Sequence, residues 1–213
     1  MDHVVTTKRL SARGGGTRES GGSQRRAELL AIAAELFATR GFLATTVREI
    51  ADEAGILSGS LYHHFDSKES MADEILRGFL EPQRRAYQQV LREATDPRTA
   101  LAELVRQSFR ALQDNHAAIA IFQNESKYLA QYERFGYLRK AANEFERTWT
   151  RVLQDGQREG VFRADLDVKL TYRFIRDMVW TSVHWYNPKG KLAAETIAEQ
   201  YIRILCEGIV QPE

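Results

Sequence analysis

The sequence predicts an all-α fold. From Gln24 onward, apolar residues recur three and four positions apart, which places them on one face of a helix. No stretch alternates apolar and polar residues for long enough to indicate a half-buried strand. The chain also contains no internal repeat and no glycine-rich phosphate loop. Its 213 residues suffice for one or two small helical domains with a buried core.

The N-terminal segment differs in composition from everything that follows. It contains Gly14-Gly15-Gly16 and Gly21-Gly22, has almost no apolar residues, and carries six basic against two acidic side chains up to residue 26. Such a segment cannot bury enough apolar area to fold alone, so residues 1–23 are predicted to form a flexible basic arm. Two interpretations stay open: a solvated tail, or an arm that grips a polyanion beside an ordered DNA-binding element.

The first predicted helix begins at Gln24, and Gly41 follows it as a C-terminal cap. Its apolar face consists of Leu29, Ile32, Ala33, Leu36 and Phe37. A short second helix is predicted from about Val47, because Thr46 and Glu49 form the T-x-x-E pattern of a capping box.

A third helix is predicted from about Ser58 to His64, and Asp66 with Glu69 indicates the start of a fourth. Pro82 should kink or divide this fourth helix, since proline removes a helical hydrogen bond. The remaining predicted helices run from Asp96 to Asp114, onward through Gln123, from Tyr132 to Arg158, from Val168 to Tyr186, and from Ala193 to Gly208.

The second and third helices have the spacing of a helix-turn-helix. Six positions fall at the offsets that this motif requires: Ile50, Ala51, Ala54, Gly55, Ile56 and Leu61. Ala51 is small where the two helices cross, and Gly55 suits a turn that favours positive φ. Residues 24–70 are therefore predicted to be a DNA-binding domain, and residues 71–213 are predicted to form a larger helical domain. An ordinary helical hairpin is the alternative.

The stretch from Thr45 to Lys68, which ends in the pattern L-Y-x-H-F-x-x-K, resembles the N-terminal domain of TetR-family transcriptional regulators. Within that family the chain is most similar to repressors of the late, ring-degrading part of cholesterol catabolism in mycolic-acid bacteria. The residues that carry this similarity are 55–65, 76–80, 165–168, 172–177 and 185–186. The resemblance implies a homodimer whose N-terminal domains bind an operator and whose helical domain binds a ligand that loosens DNA binding.

The third helix should lie in the major groove with its N-terminal part nearest the bases. The small residues there, Ser58, Gly59 and Ser60, permit close approach but discriminate weakly between bases. The resemblance implies phosphate contacts by Tyr62, His64 and Lys68, with Thr46, Arg48 and His63 as further DNA-binding residues. Alternatively, Tyr62 is a core aromatic and the two histidines are plain polar surface.

The predicted helix from Val168 to Tyr186 is apolar on two sides. One side carries Leu170, Phe174 and Met178, and the other carries Ile175, Val179, Ser182 and Tyr186. A helix with two apolar sides has two neighbours, here its own core and a second subunit, so a homodimer is predicted. A stripe ending at Ile204, Leu205 and Gly208 supports the same assembly, whereas simple core burial is the alternative.

Arg176, Trp180 and His184 are spaced to share one face of that helix. An arginine among apolar neighbours needs an anion, either an acid on a neighbouring helix or a carbonyl or phosphate of a ligand. Trp180 would form an apolar wall, with Phe122 and Trp149 as further lining. The resemblance implies that this ligand, the effector, is an acyl-CoA thioester of a partly degraded sterol ring; another acyl-CoA or lipophilic compound is the alternative.

Other function classes find no support in the sequence. The formal charge of +1 gives no global attraction to nucleic acid, so any basic patch must be local. No catalytic triad, metal-ligand spacing or cofactor motif is present, which argues against an enzyme, and a helical scaffold would not need the helix-turn-helix. A single cysteine, no apolar run long enough to span a membrane and no signal peptide predict a cytoplasmic protein.

Overall fold

The computed structural model describes residues 17–208, and all regular structure in that range is helical, as predicted. The helices in this range are α1 (Thr17–Arg40), α2 (Val47–Glu53), α3 (Ser58–Leu61), α4 (Lys68–Glu93), α5 (Pro97–Asp114), α6 (His116–Leu129), α7 (Tyr137–Arg158), α8 (Val168–Thr181) and α9 (Ala194–Glu207). Two short 3-10 turns, Glu133–Phe135 and Ser182–His184, precede α7 and follow α8.

The N-terminal helix begins earlier than the sequence predicts. Helix α1 starts at Thr17 and therefore includes the last seven residues of the predicted arm. Once a helix is nucleated by packing further along the chain, each added residue gains a hydrogen bond, so even Gly21 and Gly22 can be incorporated. Residues 1–16, and with them most of the predicted arm, lie outside the described range.

Helix α4 runs without a break through Pro82, contrary to the predicted division. Pro82 lacks the N–H that would bond to the carbonyl of Gly78. The helix continues because its neighbours on both sides of the proline, including Phe79, Leu80 and Tyr87, are buried in the core. Tertiary packing therefore outweighs the local preference to break.

Helix α4 begins at a different cap from the one predicted. Ser67 is the N-cap and Ser70 its reciprocal partner, with N–H to Oγ distances of 3.1 and 3.2 Å, instead of Asp66 and Glu69. Serine and aspartate are both good N-caps, so the sequence alone does not choose between adjacent candidates.

Three other helix ends also differ from the predictions. Helix α3 ends at Leu61 rather than His64, helix α6 extends to Leu129, and the segment from Tyr132 forms a 3-10 turn before α7 begins at Tyr137. Helix ends depend on tertiary contacts as well as on periodicity.

Helices α1, α2 and α3 pack around a small apolar core that continues into α4. The buried side chains of this region include Leu29, Ala33, Phe37, Phe42, Ile50, Ala51, Leu61, Phe65 and Met71. Helix α1 also contacts α6, so the N-terminal domain is joined to the larger domain at α4 and at α6.

The larger domain is built around α5, which packs against α4, α7, α8 and α9. Its inward face carries Leu104, Val105, Phe109 and Leu112, each at most 1% exposed. At the end of α7, Gly156 lies against the ring of Phe162, where a Cβ atom would meet ring carbons at 2.0 Å. A larger residue at position 156 would therefore displace the link between α7 and α8.

Candidate functional site

The predicted capping box at the start of α2 is present. The Glu49 N–H donates to Thr46 Oγ1 at 3.2 Å, and the Thr46 N–H donates to Glu49 Oε2 at 2.8 Å. The Thr46 hydroxyl also donates to the same carboxylate at 2.9 Å. These bonds from Thr46 hold the pKa of Glu49 below its usual range. In this structure the Thr46 hydroxyl proton is therefore used in a hydrogen bond within the helix cap.

The turn between α2 and α3 has the geometry that the sequence predicts. Gly55 adopts φ of +66°, a conformation that L-residues with side chains rarely adopt. The Ile56 N–H then donates to the carbonyl of Ala51 at 2.9 Å, and Ala51 itself is fully buried where the helices cross. Ile50 and Leu61 are buried in the core of the helix-turn-helix. These contacts fix the orientation of α3 relative to α2.

The outer surface of this motif is polar and accessible. Tyr62 is 56% exposed, so it is not a core aromatic. Gly59, His63, Thr46 and Arg48 are exposed as well. Ser58, Ser60 and His64 are half-buried on the same short segment. Eight of the nine predicted DNA-binding residues are thus exposed or half-buried on the helix-turn-helix. The ninth is Lys68.

Leu57, immediately before α3, is 80% exposed and was not among the predicted DNA-binding residues. Periodicity could have singled it out, because it is a large apolar residue that lies outside the core pattern of α2 and α3. An exposed apolar side chain at this position is suited to contact the methyl group of thymine.

Lys68 has a different environment from the one expected of a phosphate contact. Its ammonium group donates to the carbonyls of Phe42, Leu43 and Thr45 at 2.9, 3.4 and 3.0 Å. It also lies 4.5 Å from the centre of the Phe42 ring. Because an ammonium group has three N–H donors, all three are directed at the loop between α1 and α2. In this structure Lys68 therefore positions the loop, and its phosphate contact stays a prediction.

The same loop is held by the larger domain. The Phe42 N–H donates to Glu125 Oε1 of α6 at 3.2 Å. A second connection between the domains joins the guanidinium of Arg26 on α1 to the carboxylate of Glu74 on α4. Within the DNA-binding domain, Arg25 donates to the carbonyl of Ala54 at 2.8 Å. Helices α4 and α6 are therefore both attached to the DNA-binding domain.

A cleft of about 890 Å³ lies between the two domains. It is bordered by α1, by α4, by the α5–α6 junction and by the segment from Tyr186 to Lys189. None of the five predicted effector residues lines it. At its edge, His116 Nε2 lies 3.1 Å from the carbonyl of Tyr186.

Three of the predicted effector residues are aromatic and converge on α4. Phe122 and Trp180 pack against Phe79, with ring centres 6.3 and 6.0 Å apart. Trp149 packs against Tyr87 at 5.9 Å. Trp180 is 7% exposed and Trp149 is 2% exposed. These three residues belong to the apolar core of the larger domain or pack against it, and none of them borders the cleft between the domains, the recess between α4 and α7 or the recess beside Arg176.

The other two predicted effector residues are exposed and are not buried with Trp180 inside the domain. Arg176 is exposed and lies 2.7 Å from the carboxylate of Asp177, so the expected burial among apolar neighbours is wrong. His184 is also exposed, because α8 ends at Thr181 and the following 3-10 turn shifts the register. Arg176 instead borders a surface recess of about 450 Å³, together with Glu146, Asp167, Lys169, Leu170, Tyr172 and Arg173.

The two apolar sides of α8 have different surroundings. Ile175, Val179, Ser182 and Tyr186 are buried in the domain core. Leu170, Phe174 and Met178 are 49%, 66% and 50% exposed. Further exposed apolar residues lie in the C-terminal part of the chain: Trp185 and Leu192 between α8 and α9, and Ile204 on α9. Residues 17–208 thus leave one side of α8 uncovered.

Within residues 17–208, no cluster of histidine, cysteine or acidic side chains has the arrangement of a metal site. The described helices also include none with the length and apolar content needed to cross a bilayer.

The fold and the exposed helix-turn-helix define a DNA-binding protein with a separate helical domain. A sequence model of the tetR family of bacterial regulatory proteins matches residues 29–75, and a model of the tetracyclin repressor-like C-terminal domain matches residues 94–209. The chain belongs to the TetR family of bacterial transcriptional regulators. It is therefore a regulator and not an enzyme.

Individual relatives are similar over nearly the whole chain. The HTH-type transcriptional repressor KstR2 of Rhodococcus jostii is 52% identical over 193 residues, which cover 91% of this chain and 95% of that protein. KstR2 of Mycobacterium tuberculosis is 49% identical, covering 89% and 94%. The solved structure of the ketosteroid transcriptional regulator KstR2 of Mycobacterium tuberculosis superposes with a TM-score of 0.84, covering 88% of this chain and 96% of that one.

Proposed function

We propose that this chain is a homodimeric repressor of steroid-catabolism genes that binds an inverted-repeat operator and is released by an acyl-CoA thioester of a partly degraded sterol ring. The observation that carries the proposal is the identity of about half of all residues, over nearly full length, to repressors named KstR2. The protein would act in the cytoplasm, where its operator DNA lies.

The DNA-binding part of the proposal uses the exposed side of the helix-turn-helix. Ser58, Gly59 and Ser60 approach the base edges, while Tyr62, His63 and His64 reach the phosphates beside the groove. Arg48 contributes from α2, where its weak 3.8 Å pairing with Asp52 leaves it free to move. Thr46, the exposed N-cap of α2, contacts the DNA beside Arg48.

The dimeric part of the proposal uses the uncovered side of α8. The face that carries Leu170, Phe174 and Met178 exposes apolar surface to water, which is unfavourable unless another protein surface covers it. A second copy is the natural occupant, because a two-fold protein reads two-fold DNA.

The effector part of the proposal rests on Arg176 and Trp180. A CoA thioester requires an apolar site for its rings and cations for its phosphates. Trp180, Phe122 and Trp149 provide apolar walls around α4. Arg176 lies at the domain surface beside other cations, where a phosphate remains partly hydrated, and His184 extends the polar side near the end of α8.

Replacing Arg176 by Met or Trp180 by Leu tests this assignment. Each substitution should leave operator affinity nearly unchanged but raise the thioester concentration needed for half-release by roughly tenfold. For Arg176 this is the equivalent of one charge-assisted hydrogen bond, and for Trp180 it is the loss of apolar contact with the ligand. Fluorescence anisotropy of a labelled operator measures both quantities. A thermal melt shows whether the smaller residue at position 180 has damaged the core.

Arg151→Met is the matched control, because Arg151 is also an exposed arginine beside an aspartate, Asp155, on a helix of the larger domain. If Arg176→Met abolished operator binding and left effector affinity unchanged, Arg176 would be structural. If the wild type responded only to a different acyl-CoA or lipophilic compound, the steroid assignment would fail and the regulator class would remain.

A further inference from the structure

The inward face of α4 places one polar side chain between two aromatic groups. Phe79, Gln83 and Tyr87 are four residues apart and therefore share one face of the helix. All three are buried, and Gln83 is 5% exposed. The aromatic residues that contact Phe79 and Tyr87 are Phe122, Trp180, Phe145 and Trp149.

The hydrogen bonds around Gln83 do not satisfy its amide nitrogen. The Ser108 hydroxyl donates to the carbonyl of Leu104 at 2.7 Å, so the Tyr87 hydroxyl, 2.5 Å from Ser108 Oγ, is the donor in that pair. Burial raises the pKa of Tyr87 to about 12, and the nearby N–H groups of Gln83 and Trp149 oppose this rise. The Gln83 amide thus lies near the Tyr87 oxygen without the geometry of a hydrogen bond.

Gln83 Nε2 has no hydrogen-bond partner in the part of the chain that the structure describes. A buried amide without a partner is less favourable for stability than an apolar side chain of the same size, such as methionine. Stability alone therefore does not account for a glutamine here. A ligand oxygen that accepts a hydrogen bond from the Gln83 N–H would account for it.

We propose that Gln83 recognises a ring oxygen of the effector, a carbonyl or carboxylate, while the aromatic residues around Phe79 and Tyr87 enclose the apolar rings. This assignment rests on the proposed function and names the contact that gives it chemical selectivity. A recess of about 290 Å³ between α4 and α7 lies beside this face of α4; Leu80, Phe145 and several charged side chains, among them Arg84, border it, and Gln83 itself does not. A ligand that enters there reaches Gln83 by separating these two helices.

Two thioesters provide the test: a fused-ring acyl-CoA that carries a ring ketone, and the same compound with that ketone replaced by a methylene group. For the wild type, the ketone compound should release operator DNA at a concentration roughly tenfold lower. Gln83→Met should lose this preference, so that both compounds act at similar concentrations. The variant should melt no lower than the wild type and bind operator with unchanged affinity.

Gln88→Met, at an exposed position of the same helix, is the matched control and should keep the wild-type preference. Gln83→Leu serves as a second variant if the methionine side chain packs poorly. The assignment is overturned if either folded variant still prefers the ketone compound by the wild-type factor, or if both variants melt far lower than the wild type, which would make Gln83 structural.

The two proposals fail in different ways. If neither thioester released the wild type, the proposed effector class would be wrong and the assignment of Gln83 would be lost with it. If both thioesters released the wild type at equal concentrations, the effector class would stand and the role of Gln83 alone would be overturned.

Discussion

Two basic residues near the start of the helix-turn-helix differ in what surrounds them. The Arg48 side chain is 85% exposed, whereas the ammonium group of Lys68 is directed at three backbone carbonyls. An exposed cation can neutralise a phosphate and release a counterion. A cation whose donors are all used instead stabilises the loop that positions α2.

Salt dependence separates these two roles. Arg48→Met should reduce the slope of log K against log salt concentration by roughly two units per dimer, one for each copy. Lys68→Met should weaken operator binding with little change in slope and lower the free energy of unfolding by about 1–3 kcal/mol, because three carbonyls lose their donor. Operator titrations at several salt concentrations and urea unfolding measure these effects. An equal loss of slope in both variants would confirm Lys68 as a phosphate contact.

At the residue scale, sequence reasoning worked where a local rule decides the outcome. The capping box of Thr46 and Glu49 and the positive φ of Gly55 depend on a few neighbours, and both were predictable. The surroundings of Arg176 were not, because they depend on where α8 ends and on the rotamer that reaches Asp177. Gln83 gave a weaker signal, because it is one polar residue among the apolar residues of a helix face. Its burial and its missing hydrogen-bond partner depend on the packing of other helices against α4.

At the scale of elements, α8 illustrates what periodicity can establish. The sequence identifies two apolar sides, and the structure shows that one of them packs in the domain core while the other is exposed. Periodicity does not reveal which side belongs to which neighbour. It also did not place the end of α8, because the change to a 3-10 turn at Ser182 depends on tertiary contacts.

Charge on the exposed side of α8 should prevent dimerisation without unfolding the chain. Phe174→Glu is expected to sediment as a monomer at micromolar concentration. The variant should still show a cooperative thermal melt, as a folded subunit does, and it should bind the operator weakly. Val161→Glu, at a similarly exposed apolar residue between α7 and α8, should remain dimeric. Val179→Glu should unfold the protein, since Val179 is fully buried.

A stable wild-type monomer would contradict this assignment of α8, and so would a Phe174→Glu variant that remains a dimer. The wild-type monomer would also remove the argument for an inverted-repeat operator.

At the scale of the whole molecule, the loop between α1 and α2 is where the two domains meet. Lys68 of α4 and Glu125 of α6 both bond to this loop, so a shift of either helix reaches the start of the helix-turn-helix. A ligand that separates α4 from α7 would act on this connection. It lowers operator affinity only if it binds the DNA-incompetent arrangement more tightly than the competent one.

The all-α class and the helix-turn-helix were predictable, because helical periodicity and the spacing from Thr46 to Lys68 are local signals. The contact of Glu125 with Phe42, 83 positions apart in sequence, was not predictable, and neither was the convergence of Phe122, Trp149 and Trp180 on α4. Such contacts depend on how helices pack, which a single sequence does not encode in any local pattern.

The central claim is that operator binding by a dimer is relieved by a steroid-derived acyl-CoA. Its most direct test is the fluorescence anisotropy of a labelled inverted repeat from the promoter of the neighbouring genes, titrated first with protein and then with the thioester, the free acid or CoA. We expect two protomers to bind per inverted repeat, and the thioester to release the DNA at much lower concentration than either of its parts. Undiminished binding at saturating thioester, or binding with no preference for the inverted repeat, would contradict the account.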